Sequence, residues 1–130
     1  RLEPGGRVLL CQADIARTVL AEALADAGAA VTPVVAYRTV AGSGGVDLPA
    51  LLDAGTIDAI TFTSPSTVRN LLRRLNAEGG GVAGLTGVCL ACLGPITAGA
   101  ARDLGWNVGV LPAEHTIPAL VDALESYYAS

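Results

Sequence analysis

Residues 58–72, DAITFTSPSTVRNLL, decide the fold: an apolar strand runs without a spacer into a Thr-Ser-Pro-Ser turn and then into a helix. A buried parallel strand reads as a near-continuous apolar run, here Ala59 to Phe62, and ligands of open α/β sheets gather at the carboxyl ends of such strands. Ser64 or Ser66 can cap the helix and Pro65 suits its first turn. The free N–H groups at that end face the space above the sheet, which favours an anion or carboxylate.

The design recurs at 87–102. GVCLACL is a second apolar run, and Gly94-Pro95-Ile96-Thr97 opens a second helix. A third loop, LPAEHT at 111–116, follows a short strand at 107–111 and precedes an amphipathic helix at 117–128 whose Ile117, Leu120, Val121 and Leu124 share one face. The three loops are expected on one rim, with Thr63, Ser64, Ser66, Gly94, Thr97, His115 and Thr116 as candidate binding residues. His115 fits either a ligand contact or a solvated loop position.

Upstream, 7–11 reads as strand one and 14–28 as a helix with Ile15, Val19, Leu20, Leu24 and Ala27 on one face, ended by Gly28. Strand two is 31–37, where Pro33 is tolerable only near a strand start or at an edge. AGSGG at 41–45 is the one clear flexible linker. A short helix at 46–54 precedes strand three at 58–62, and a helix from Pro65 to about Asn76 follows it. A glycine run at 79–81 then leads to strand four at 87–93 and a helix ending near Gly105. Five strands alternating with helices predict an α/β fold with one parallel sheet, flavodoxin-like in the order 2-1-3-4-5. A split at the linker, or exchange of the first βαβ unit between two copies, is the alternative.

Composition narrows the function. One domain of ordinary size fits 130 residues, and 52% apolar against 15% charged residues excludes disorder, while no apolar run approaches the ~18 residues of a membrane span. The chain has no Lys and a net charge of −4, which argues against nucleic acid as a partner. No secretory pattern opens the sequence, so a cytoplasmic location is expected. Cys11, Cys89 and Cys92 are expected to be reduced and buried. Cys89 and Cys92 stand three apart on a strand, hence on opposite faces, and cannot share a metal or a disulfide.

A P-loop is impossible without Lys, and the glycine runs lie outside the strand-to-helix turns of a dinucleotide fingerprint. A phosphoacceptor domain needs acidic residues where this chain has Cys11-Gln12 and Thr63. A hydrolase needs a nucleophile with a base, but His115 is the only histidine and no G-x-S-x-G elbow occurs. No metal or cofactor is expected, and any reaction rests on holding and orienting a reactive substrate.

The ordered series GGRVLLCQADIARTVLAEALADAGAAVTPVVAYRTV, DAITFTSPSTVRNLL, LACLGPITAGAARDLGWNV and AEHTIPALVDAL resembles the second half of uroporphyrinogen-III synthase. The resemblance implies closure of hydroxymethylbilane to uroporphyrinogen III, with inversion of the last pyrrole ring and loss of water, without metal or cofactor. It also implies that residues 1–39 are a βαβ unit of one synthase domain, 40–46 a linker, and 47–130 the βα units of the other. The partner would be the missing N-terminal half or a second copy. Tyr37 in AYRT matches a family tyrosine that would assist departure of the hydroxyl, although a half-buried strand-end tyrosine fits the same place. Ser64 and Ser66 match the family's Ser-rich turn, and Thr97 the Thr after its Gly-Pro. Helix capping is the alternative role for all three. Cys11-Gln12 departs from the basic residue common there. The alternative function is a non-catalytic tetrapyrrole- or carboxylate-binding module.

Overall fold

The computed structural model describes residues 4–130, and the chain divides into two compact units between Val40 and Ala41. The first holds β1 (Arg7–Ala13), α1 (Val19–Asp26) and β2 (Ala30–Tyr37). The strands are parallel, with Arg7 opposite Ala30 and Gln12 opposite Val35. Pro33 lies within β2, and with only two strands in the sheet its missing donor faces an edge. Gly28, at φ +87°, turns the chain out of α1, and its carbonyl accepts from the Gly5 amide at 2.9 Å.

The first helix is shorter than the expected 14–28. Ala16 N bonds back to Ala13 O, and the Asp14 carboxylate takes the Thr39 amide at 2.9 Å, so residues 14–15 turn and the helix begins only at Val19. Its apolar face is also bare: Val19 is 65% and Leu20 56% exposed. Among the described apolar residues of this unit only Ala29 is buried, and Leu9, Val35 and Tyr37 are more than half exposed. Parallel sheets are normally covered on both faces, and two strands alone are marginal in water. Cys11, expected inside, is exposed for the same reason.

The second unit holds α2 (Leu48–Asp53), β3 (Ala59–Phe62), α3 (Pro65–Ala77), a 3-10 turn at Val82–Leu85, β4 (Cys89–Cys92), α4 (Pro95–Asp103), β5 (Val108–Val110) and α5 (Ile117–Ala129). Its strands form a parallel sheet in the order β3-β4-β5. Alternation along β4 separates two cores. Leu90 and Cys92 join Phe62, Val68, Leu75, Ala98, Ala101 and Trp106 under α3 and α4, whereas Cys89 and Ala91 join Val110 and Leu120 under α5. The two cysteines therefore lie on opposite faces, and burial pushes both thiols above their ordinary range, opposed at Cys92 by the Arg102 charge.

The single five-stranded sheet in the order 2-1-3-4-5 is not found, because β1-β2 and β3-β4-β5 are separate sheets. The break falls at the expected glycine linker: the chain divides between Val40 and Ala41, Gly44 and Gly45, both at φ +78°, turn it after the division, and β3 pairs with β4 alone. The α/β class with parallel strands holds.

Candidate functional site

Phe62 pairs with Cys92 in the parallel register, and Leu93 N donates to Phe62 O at 2.9 Å. Two residues beyond that pair on each strand stand Ser64 and Gly94, the N-caps of α3 and α4. Both are extended, at φ −152° with ψ 155° and 171° respectively, and both are followed by a proline at the first helical position. One local design thus repeats on neighbouring strands, which lie ~4.8 Å apart. Proline supports it by lacking an N–H where the helix would leave one unpaired.

No side chain caps either helix. Ser64 Oγ instead meets Ser66 Oγ at 3.0 Å, while Thr67 Oγ1 donates to Ser64 O at 2.7 Å. The expected serine cap is therefore absent, because the two hydroxyls satisfy each other. In α3 the Thr67 amide is taken by Ser64 O at 3.2 Å and Pro65 has none, which leaves the Ser66 amide; in α4 the Ile96 and Thr97 amides have no hydrogen-bond partner among the described residues, and each end carries its share of the helix dipole. Thr97, in the first turn of α4, is only 4% exposed, so it packs within the unit and does not cap.

The loop after β5 joins the same edge. Parallel pairing of β4 with β5 places the exit of β5 beside that of β4, and a methyl group at Gly94 would stand 3.5 Å from Cγ of His115. The ring therefore lies against the second loop. Thr116 is the N-cap of α5, and its hydroxyl accepts from Ala119 N at 3.3 Å. Thr63, His115 and Thr116 are exposed, and Ser64, Ser66 and Gly94 half-buried. The structure brings these six and Thr97 to the carboxyl edge of one sheet. Tyr37 belongs to the other unit, at the carboxyl end of β2, where it is exposed.

Ile96 escaped the sequence reading. It sits at the second position of α4, 57% exposed, and offers an apolar surface beside the open amides. A large aliphatic directly after Gly-Pro, where first helical turns favour short polar or acidic residues, was the available signal. Elsewhere, a cleft of about 460 Å³ opens at the amino ends of β4 and β5, beside Val88, Trp106 and Tyr127, away from the rim. In the first unit a cleft of about 550 Å³ between β1 and α1 is lined by Gln12 and Arg17, with Leu10, Val19 and Leu20 as its apolar wall. Among the described residues no three of His, Cys, Asp and Glu converge as a metal would require, and no helix is long and apolar enough to cross a membrane.

Residues 1–122 match the model of a family described as uroporphyrinogen-III synthase HemD. A uroporphyrinogen-III synthase of Synechococcus elongatus is 36% identical over 132 residues, covering 98% of this chain and 46% of its own. A protein of Methanothermobacter thermautotrophicus, provisionally named for the same activity, is 35% identical over 125 residues, covering 92% and 49%. The chain spans about half the length of the curated relatives it matches. The crystal structure of uroporphyrinogen III synthase from Thermus thermophilus aligns with 98% of this chain and 52% of its own, with a TM-score of 0.63 and 24% identity, a likeness of fold.

Proposed function

We propose that this chain, which belongs to the uroporphyrinogen-III synthase family, supplies one wall of an enzyme that closes hydroxymethylbilane to uroporphyrinogen III. The observation that carries the reading is the doubled N-cap design, Ser64 beside Gly94, with His115 brought against it. A linear tetrapyrrole bears many carboxylates. Uncapped helix N-termini hold carboxylates without cationic side chains, which suits a chain without Lys.

The chemistry asks little of acids and bases. Loss of the terminal hydroxyl as water leaves an azafulvene whose exocyclic carbon is the electrophile. The last pyrrole attacks it through its substituted α-carbon to give a spiro intermediate. Fragmentation breaks the bond from that carbon to its original methylene bridge, and reclosure onto the freed methylene through the other α-carbon inverts the ring; the α-hydrogen displaced there leaves as a proton and replaces the one spent on the hydroxyl. Ser64, Ser66, Thr63, Thr116 and the backbone at Gly94 hold the carboxylates, Ile96 meets a pyrrole face, Thr97 shapes the turn beneath, and Tyr37 delivers the proton that leaves with the hydroxyl. Holding the chain folded lowers the entropic part of the barrier. Neither metal nor cofactor enters these steps.

In this reading residues 1–39 belong to one synthase domain, 40–46 are the linker and 47–130 belong to the other. The bare sheet of the first unit is covered by the remaining half of the family's length or by a second copy. Its exposed Leu9, Val35 and Tyr37 support that assignment. Turnover of freshly prepared hydroxymethylbilane, separating type III product from the spontaneous type I product, tests it in the chain completed by the other half. Type I product alone would reject it. The bare first unit also favours a second reading, a half that binds tetrapyrroles without turning them over. Titration with uroporphyrin III distinguishes the two, since saturable binding without type III product supports the second.

A further inference from the structure

We infer that the cleft at the amino ends of β4 and β5 is a second ligand site, built for an uncharged, flat heterocycle that carries ring-carbonyl or ring-nitrogen acceptors. Its volume of about 460 Å³ lies within the ~300–1,000 Å³ of small-molecule sites. The floor is apolar: Leu85 is 8% and Leu90 2% exposed. The mouth is polar, with the Thr86 hydroxyl and the Asn107 amide on exposed residues. Trp106, after α4, and Tyr127, late in α5, supply aromatic surface from two different elements. Gly87 and Gly105, at φ +85° and +78°, turn the chain ahead of β4 and β5. A methyl group on either would meet nothing within 4 Å, so these turns leave the mouth open.

Trp106 decides which functional group the ligand needs. It is 8% exposed, and its indole N–H donates to no described residue. Yet among the described residues no side-chain nitrogen or oxygen is both sealed from the outside and unpartnered, so this N–H reaches open space. The cleft that Trp106 lines is that space. An indole N–H only donates, and a donor held in a largely apolar recess favours a ligand acceptor. Charge of either sign is disfavoured. No Asp, Glu, Arg or His lines the cleft, so a cation would find no partner. Leu104, the C-cap of α4, does line it, and the negative end of that helix dipole opposes an anion. The site therefore differs in chemistry from the rim at the other end of the same strands, and it is independent of the reaction proposed there.

Caffeine is a suitable probe, because it is flat and neutral, carries two ring carbonyls and has no carboxylate for the rim. Trp106 is the only tryptophan, so the ¹⁵N-labelled full chain gives one indole N–H cross-peak. Titration with caffeine should move that peak along a saturating curve complete by roughly 10 mM, together with the amides of Gly87 and Asn107. Theophylline-7-acetate, the same ring system with an anionic arm, should bind about tenfold or more weakly. By calorimetry, Trp106→Phe should weaken caffeine binding about fivefold, the loss of one hydrogen bond. Should that variant unfold, Asn107→Asp, at an exposed position, serves in its place: it puts a charge at the mouth and should cost a similar factor. An indole peak that stays still or moves without saturating would overturn the inference. Equal affinity for the anionic analogue, or a folded Asn107→Asp variant with unchanged caffeine affinity, would do the same.

Discussion

Leu120→Ala tests whether the small core under α5 holds up the site. Leu120 is 3% exposed and is the largest side chain among Cys89, Ala91, Val110 and itself, the buried members of that core. Removing three carbons forfeits ~2.4 kcal/mol of transfer free energy at ~0.8 kcal/mol each. A residual cavity adds to this, reduced because half-buried Leu93, Ala123 and Leu124 can move in, which gives a total of about 3 kcal/mol. Trp106, the only tryptophan and buried in the opposite core, reports unfolding of the second unit by fluorescence. With a urea slope of roughly 1.5 kcal/mol per M, the midpoint should fall by about 2 M. Val121→Ala, on the exposed side of α5, should cost less than ~0.5 kcal/mol. A Leu120→Ala loss under ~1 kcal/mol, or one no larger than that of Val121→Ala, would show that α5 is not seated as described. The third loop would then lose its anchor, because α5 starts directly after Thr116, its N-cap.

Two glycines separate steric need from functional need. Gly109→Ala places a methyl group 3.0 Å from Sγ of the buried Cys89 and should cost ~1–3 kcal/mol in the same urea titration. Gly94→Ala meets His115 at an ordinary 3.5 Å, so its stability should stay within ~1 kcal/mol while uroporphyrin III affinity, measured by fluorescence quenching, falls. Alkaline pH should destabilise the second unit. Burial raises the folded pKa of Cys89 and Cys92, so their contribution is present below the unfolded thiol pKa of ~8.5 and is lost as pH climbs toward the folded values. Cys92→Ala should flatten the decline of the urea midpoint above that pH. Tyr128→Phe removes the hydrogen bond from its hydroxyl to Asp58 O at 2.8 Å, but that carbonyl also accepts from Cys89 N at 2.8 Å. The loss should therefore sit near the low end for a hydrogen bond, ~0.5 kcal/mol by thermal melting.

Local order was readable wherever one chain segment decides it. Each strand-turn-helix stretch of the second unit declared itself by an apolar run followed by a proline at the first or second helical position, and Pro65, Pro95 and Pro118 occupy those places. The opposite facing of Cys89 and Cys92 followed from strand geometry alone. Errors arose where a residue had a choice of partner. Ser64 or Ser66 was expected to cap α3, but their two hydroxyls meet each other, and Asp14 serves the distant Thr39 instead of a helix start. The apolar faces expected of α1 do form, yet this chain has little to lay against them, so periodicity predicted burial that Val19 and Leu20 do not have.

By itself the sequence determined the parallel α/β class, the three loops that follow β3, β4 and β5, and the residues those loops carry, because apolar runs, prolines and glycines act within a few residues of themselves. Only the tertiary structure decided that two sheets form where one was expected, that Ser64 and Gly94 stand level on adjacent strands with His115 against them, and that Arg74 reaches back to the Gly44 and Val46 carbonyls while Asp14 takes the Thr39 amide. Register, strand choice and a hydrogen bond spanning 30 residues depend on which groups meet in space, and no local pattern encodes that meeting.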